Sequence, residues 1–173
     1  MLSIRRVVLG LIAASAQGCA PALDWREVRP TDSAAVALFP CKPASHARQV
    51  VLAGERATMT MHACQAGGAT FALGHARMAD PARVGPALLE LRRAAVANLD
   101  GQEARARPFL VEGMTPHDAA VRVAVHGRRP DGQAAQEDLA VFAKGTQVYQ
   151  AVVLAPRIDV EVADTYLASL RLP

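Results

Sequence analysis

The chain has 173 residues, enough for one domain with its own hydrophobic core. Hydrophobic residues make up 51% of the sequence and aromatic residues only 4%, so Val, Leu and Ala must supply most of that core. The formal net charge is +3, and without Arg5 and Arg6 near the start, 17 basic residues face 16 acidic ones, a balance of +1. This balanced surface with few aromatic rings excludes a nucleic-acid-binding groove.

The first 20 residues are organised like an export signal. Arg5 and Arg6 precede an apolar run at 7–14, which is far shorter than the roughly 20 residues that span a bilayer. Small residues follow and lead to Cys19. The segment 16–19, Ala-Gln-Gly-Cys, resembles the lipobox of a bacterial lipoprotein. The resemblance implies cleavage before Cys19 and acylation, including palmitate, of its thiol and amino group.

This resemblance predicts a signal peptide at 1–18, a lipidated Cys19 with a tether at 19–24, and a single domain at 25–173. Several acyl chains, at about 0.8 kcal/mol per buried methylene, anchor a protein stably to a membrane. Asp after the cysteine tends to retain lipoproteins of Gram-negative bacteria at the inner membrane, so Ala20 favours the periplasmic face of the outer membrane. Two alternatives remain. One is a secretory cut after Ala-Ser-Ala at 14–16, giving a soluble periplasmic or secreted protein, and the other is a weak twin-arginine signal at 5–9.

Two cysteines remain once Cys19 is set aside, and both follow strand-like segments. Cys41 comes after the apolar stretch 36–40, and Cys64 ends the stretch 57–63. An even number of cysteines in an exported chain indicates a disulfide, and neighbouring strand ends can bring two Cα atoms within about 6 Å. We expect a Cys41–Cys64 disulfide that stabilises the fold by roughly 3 kcal/mol in the chain-entropy model. Two buried free thiols are the alternative.

The first half of the domain is predicted to consist mainly of strands. Two short strands are expected at 25–29 and 34–40, and a hairpin at 49–53 and 56–64 turns at Gly54-Glu55. A turn at 65–68 leads to a strand at 70–77. A long helix then begins at Asp80-Pro81, because Asp is a good N-cap and Pro is tolerated at the first helical position. Gly101 is expected to end it in a left-handed conformation. The apolar stripe of this helix consists of Val84, Leu88, Leu91, Ala95 and Leu99.

The second half repeats the strand pattern and closes with a helix. Apolar and polar residues alternate over 121–126, as in a half-buried strand, and a strong turn follows at 129–132. Strands at 136–143 and 147–154 form a hairpin around Lys144-Gly145, and Asp159 caps a short C-terminal helix. Together these elements predict an α+β fold, a largely antiparallel sheet with one long helix and one C-terminal helix.

The order of these elements is similar to that of the PsbP/Mog1-like α/β/α sandwich. Small exported bacterial proteins with that layout often end in an aromatic-Leu-x-Ser-aromatic/Leu helix tail. Here Tyr166, Leu167, Ser169 and Leu170 match that tail. Members of this fold include photosystem subunits, a regulator of the GTPase Ran and bacterial lipoproteins, so the resemblance implies a fold and no particular activity. No catalytic residues carry over.

The sequence contains one candidate metal site and no enzyme motif. The sequence Met-Thr-Met-His-Ala-Cys at 59–64 contains soft ligands, but strand alternation puts Met59 and Met61 on one face and His62 and Cys64 on the other. We therefore expect the methionines in the core and His62 on the outer face. His62 and His75 are weak candidates for a shared metal site on neighbouring strands. No catalytic residue, bound metal or cofactor is predicted.

These observations predict a non-enzymatic lipoprotein of the cell envelope. Its membrane contact is the lipid at Cys19, and its domain binds or scaffolds another envelope protein whose identity the sequence does not reveal. The alternative is a periplasmic carrier for a small molecule or a metal, using the face of the sheet or a cleft between sheet and helix. An enzyme of an unrecognised type is the third possibility.

Overall fold

The computed structural model describes residues 23–173, so the predicted signal peptide and Cys19 lie outside the described residues. The domain contains nine strands and two α-helices within that range, and a 3-10 turn, Pro81–Arg83, precedes α1. The helices are α1 (Val84–Asn98) and α2 (Val160–Ala168). The strands are β1 (Arg26–Val28), β2 (Ala37–Phe39), β3 (Ala44–Leu52), β4 (Glu55–Ala66), β5 (Ala69–Arg77), β6 (Gln102–Pro108), β7 (Val121–Arg128), β8 (Ala134–Lys144) and β9 (Gln147–Ala155). None of the helices in this range is long and apolar enough to cross a membrane.

Seven of the strands form one sheet in the order β3-β4-β5-β9-β8-β7-β6, and every neighbouring pair is antiparallel. Strands β1 and β2 pair separately as a two-stranded ribbon. The predicted architecture, a largely antiparallel sheet with one long helix and one C-terminal helix, is confirmed. The sheet is open, so its end strands β3 and β6 are edges, and α1 connects β5 in one half of the sheet to β6 at the far edge of the other.

Helices lie on both faces of the sheet, each over its own hydrophobic cluster. On one face, here the α1 face, Leu88 and Leu91 of the helix pack against Leu139 and Val141 of β8. On the other, the α2 face, Tyr166 and Leu167 join Phe39, Phe71 and Phe142. Strand alternation separates the two sets, since Leu139 and Val141 point one way and Ala140 and Phe142 the other.

The start of α1 agrees with its sequence signals, and its end differs. The side chain of Asp80 accepts a hydrogen bond from the N–H of Ala82 at 2.9 Å. At the other end the left-handed residue is Asp100, with φ 41°, and not Gly101. Gly101 has a different role, since a Cβ there would lie 2.7 Å from the backbone oxygen of His126. The segment that follows α1 packs so closely against β7 that residue 101 has no room for a side chain, which explains why it is a glycine.

The helix-tail motif stabilises the α2 face through specific hydrogen bonds. The Tyr166 hydroxyl, fully buried, donates to the backbone oxygen of Ala72 at 2.8 Å, and burial raises its pKa well above the ordinary value. Ser169 Oγ accepts from the N–H of Leu38 at 2.8 Å and donates to the oxygen of Tyr166 at 2.6 Å. The motif thus joins α2 to β5 and to β2.

Three other details of the sequence prediction were incomplete or wrong. Strand β3 begins at Ala44, five residues before the predicted start, and β6 was not predicted. Every residue of β6 is exposed, so it lacks the alternation that identifies a half-buried strand. The β3–β4 turn lies at Ala53 and Gly54, with φ 52° and 81°, and not at Gly54-Glu55. Two left-handed residues give the tight turn that a hairpin needs.

Candidate functional site

A groove runs along the α1 face beside the helix, over the strands that α1 leaves uncovered. The 15-residue helix packs on β7, β8 and β9, and the lining of the groove beside it comes mainly from β3, β4, β5 and β9. The groove has a volume of about 450 Å³, within the range of small-molecule sites. Its helical wall consists of Leu91, Ala94, Ala95 and Asn98. Its apolar floor includes Met59, Met61, Ala63, Ala72, Val152 and Leu154.

The register of the sheet explains how these floor residues come together. Ala63 pairs with Ala72, and Ala72 with Val152, so one row of apolar side chains crosses β4, β5 and β9. Residues paired across antiparallel strands share a face, and two-residue alternation keeps Met59 and Met61 on that same face. The alanines in this row leave space that larger side chains would fill, which makes the surface concave.

Gly74 allows the side chain of Met61 to cross β5 in the middle of the groove. A Cβ on Gly74 would lie 2.3 Å from Met61 Sδ and 3.0 Å from Gln150 Cγ. The sulfur instead accepts a hydrogen bond from Gln150 Nε2 at 3.3 Å. Gly74 thus enables contact between side chains of two strands that flank β5.

Glu137 is the buried acid of the groove. It is 8% exposed and lies on β8 in phase with Leu139 and Val141. Within residues 23–173 no hydrogen bond reaches its carboxyl group, and burial raises the pKa of that group to about 7. A carboxyl in this state holds or releases a proton near neutral pH, and it interacts strongly with a polar ligand group because little water screens it.

Two other charged side chains line the groove, Glu90 on α1 and Arg48 on β3. Glu90 Oε2 accepts a hydrogen bond from the N–H of Ala53 at 2.7 Å, which ties α1 to the β3–β4 turn. Arg48 lies on β3, four strands from β8. At about 4.8 Å per strand, the backbone positions of Arg48 and Glu137 are separated by roughly 19 Å across the sheet.

His62 and His75 come together on the α2 face, but the expected exposure of His62 was wrong. Their rings are stacked with centroids 5.8 Å apart, and the two residues are only 8% and 4% exposed. The segments 26–31 and 42–43 lie over this part of the sheet and cover His62. No cluster of three or more His, Cys, Asp or Glu side chains suited to a metal occurs in the described part of the chain.

The histidine pair is held in its neutral form. His75 Nδ1 lies 3.1 Å from Gln147 Nε2, which also donates to the oxygen of Asp32 at 2.8 Å. Because an amide nitrogen can only donate, His75 Nδ1 accepts and the ring proton lies on Nε2. The Nε2 atoms of both histidines are buried without a hydrogen-bond partner among residues 23–173. Burial lowers the pKa of each imidazole, and for His75 the neighbouring His62 lowers it further.

The cysteines predicted to pair are brought into disulfide geometry. The Cα atoms of Cys41 and Cys64 lie 6.0 Å apart with their sulfur atoms in bonding contact. The link joins the chain just after β2 to β4, next to the covered histidines. Cys19 lies outside the described residues, so the lipidation site remains a prediction.

A basic surface lies on β6 and β7 of the α2 face, beside α2. Arg122 is paired, its Nε lying 2.8 Å from Asp138 Oδ1 and its Nη1 2.6 Å from Asp164 Oδ1. Arg105 and Arg107 on β6 are exposed, and within residues 23–173 they form no ion pair. This surface is the β6 patch, and it also includes His126.

Sequence comparison adds no relative to this description. No protein-family model matches the chain, and no curated protein is significantly similar to it.

Sequence reasoning missed Glu137, although a signal was present. The stretch 136–143 was predicted to be a strand, and its alternation puts Glu137 on the same side as Leu139, Val141 and Ala143. A charged residue in phase with the buried side chains of a strand indicates a buried charge. The groove itself had no such signal, because it depends on which strands α1 covers.

Proposed function

We propose that this chain is a lipid-anchored domain of the bacterial envelope that binds a small apolar molecule without transforming it. The observation that supports this function is the groove on the α1 face, with its floor of Met, Ala, Val and Leu side chains. Apolar walls provide affinity by removing hydrocarbon from water, and a few polar groups orient the ligand. The single buried carboxyl of Glu137 suits that orienting role.

The location follows from the leader. The basic residues Arg5 and Arg6, the apolar run and Cys19 support lipidation with palmitate and attachment to the periplasmic face of the outer membrane. A Cys41–Cys64 disulfide suits that oxidising compartment. The proposal includes a PsbP/Mog1-like fold, which the helices on both faces of an antiparallel sheet and the Tyr166-to-Leu170 tail support.

The methionines allow a direct test of ligand binding. Met59 and Met61 line the groove, whereas Met78 and Met114 do not. We expect titration with octan-1-ol to shift the methyl NMR signals of Met59 and Met61 in protein labelled with [¹³C-methyl]methionine, and to leave those of Met78 and Met114 in place. Unchanged signals at Met59 and Met61, or equal shifts at all four, would reject the proposed site.

A matched pair of variants separates groove binding from general surface effects. Ala63→Leu adds a larger side chain to the groove floor, so it should weaken octan-1-ol binding at least about fivefold by occupying ligand volume. Ala47→Leu makes the same change on the opposite face of neighbouring β3, at an exposed position, and should leave binding unaltered. Equal affinities of the two variants for octan-1-ol would show that the ligand does not bind in the groove.

Intact mass spectrometry of protein extracted from its own membranes tests the anchor. We expect a mass that corresponds to a chain beginning at Cys19, with added acyl groups and two hydrogens fewer than the fully reduced form. A chain beginning at Gln17, without acyl groups, would instead support the secretory alternative. An uncut chain with reduced cysteines would reject export altogether.

A second candidate function, docking of an acidic protein partner, is supported by the β6 patch. Arg105 and Arg107 project from an exposed edge strand, and within the described residues neither is paired with a carboxylate. Complementary charge speeds and orients association of proteins. A photocrosslinker at position 105 in native membranes should give one discrete adduct that Arg107→Glu removes. A diffuse adduct pattern, or one unchanged by Arg107→Glu, would reject this docking surface.

A further inference from the structure

The end of the groove formed by β8 carries the negative side chain of Glu137. Glu137 is 8% exposed as a residue, and its carboxyl group receives no hydrogen bond from residues 23–173. An isolated buried carboxyl costs stability, and a ligand group that donates hydrogen bonds to it recovers part of that cost. The end of the groove at Glu137 therefore favours a ligand with a donor group.

The last turn of α1 adds to the negative potential at the same end. Glu137 pairs with Val125 on one side and Leu154 on the other. Both neighbours belong to the cluster that Leu99 and Val96 form at the end of α1. Glu137 therefore lies beneath the helix C-terminus, which carries roughly half a negative charge and favours cations.

No basic residue of the groove is near enough to neutralise this end. Arg48 is the sole Lys or Arg in the lining among the described residues, and it lies four strands away on β3. A carboxylate head group would meet repulsion from Glu137 and from the helix end. A hydroxyl head group would form one hydrogen bond. An ammonium group would complement both negative features and donate up to three hydrogen bonds.

We infer that the groove selects an apolar molecule that ends in a primary ammonium group, with Glu137 receiving the ammonium and the floor of β4, β5 and β9 receiving the apolar part. This inference rests on the proposed function and adds the chemistry of the ligand head group. Binding forms a charge-assisted hydrogen bond between the ammonium N–H and the Glu137 carboxylate in a site that largely excludes water. No covalent step is involved.

The test compares three ligands that differ only in the head group. Octylammonium, octan-1-ol and octanoate are titrated separately into the domain at pH 7.5, and affinity is measured from the methyl signals of Met59 and Met61. We expect octylammonium to bind at least about tenfold more tightly than octan-1-ol, and octanoate to bind most weakly. The carboxyl ¹³C signal of Glu137 should titrate at lower pH when octylammonium is bound, because a nearby cation favours the ionised form.

The variant Glu137→Gln isolates the role of the carboxyl. It should remove the preference for octylammonium and retain the affinity for octan-1-ol, while unchanged Met78 and Met114 signals show that the fold persists. Glu161→Gln makes the same change of charge at an exposed position of α2 and should retain the preference. Equal binding of the three ligands, or a preference that survives in Glu137→Gln, would overturn the head-group inference and leave the proposed function standing. Absence of any shift at Met59 and Met61 with all three ligands would overturn both.

Discussion

The sulfur of Met61 lies over Gly74. A Cβ atom on residue 74 would be only 2.3 Å from Met61 Sδ, too close for both to fit. The variant Gly74→Ala should therefore displace the Met61 side chain and break its contact with Gln150 Nε2. The stability change should stay within about 1 kcal/mol, because Met61 is flexible and alanine restricts the unfolded chain.

The measurement is the methyl signal of Met61 and the affinity for octan-1-ol. We expect the signal to move and the affinity to fall, with Met114 on the α2 face as the internal control. A Met61 signal unchanged in Gly74→Ala would show that the sulfur does not occupy that space.

Glu137 should make the domain less stable as pH rises through neutrality. Its pKa is raised from 4.5 to about 7 by burial, so the folded state binds more protons than the unfolded state between those values. The contribution of Glu137 to stability is full below about pH 4.5 and is lost as pH rises toward 7, by roughly 3 kcal/mol at 1.36 kcal/mol per pKa unit. Urea unfolding of wild type and Glu137→Gln at pH 5.5 and 8 measures this loss. The variant should lack it, and an identical pH dependence in both proteins would contradict the assignment.

The histidine pair should act in the opposite direction. The pKa values of His62 and His75 are lowered from 6.5 in the folded state. Below about pH 6.5 the unfolded state therefore binds more protons than the folded state. Their contribution to stability is full above about pH 6.5 and is lost as pH falls from there toward the folded-state values.

The variant His62→Leu tests this contribution, since it removes one buried imidazole and its effect on His75. We expect stability close to wild type at pH 7.5 and a smaller loss between pH 6.5 and 5. Introducing His62→Leu into a Glu137→Gln background separates the two opposing trends. A loss on acidification equal to that of the parent protein would exclude the pair as its source.

Ser169 should contribute to stability through both of its hydrogen bonds. Ser169→Ala leaves the N–H of Leu38 without its acceptor and should cost about 1–2 kcal/mol. Ser45→Ala, at an exposed position of β3, should change stability by less than about 0.5 kcal/mol. The urea unfolding midpoints of the two variants provide the comparison. Equal midpoints would show that the hydrogen bonds of Ser169 do not stabilise the fold.

The elements predicted well from sequence are those with a local physical signal. Asp80-Pro81 identified the start of the long helical segment because capping and proline geometry depend on adjacent residues. The alternation of valines over β7 identified a half-buried strand because one face meets the core. These signals need no knowledge of distant parts of the chain.

The features that sequence reasoning missed depend on packing between distant segments. His62 was expected at the surface, yet the ribbon segment before β2 covers it, and strand alternation alone cannot reveal that cover. Strand β6 has exposed residues throughout and pairs with β7 on only one side. The groove exists because α1 is narrower than the sheet, a relationship that appears only in three dimensions.

Three distant stretches of the chain meet at Arg171 and Leu172. Val36 exchanges backbone hydrogen bonds with Arg171, and Leu172 donates to the oxygen of Glu112. Neither of the earlier stretches can form these bonds without residues 171–172, so closure of the layer over the α2 face depends on contacts between segments far apart in the chain, which form more slowly than local hairpins.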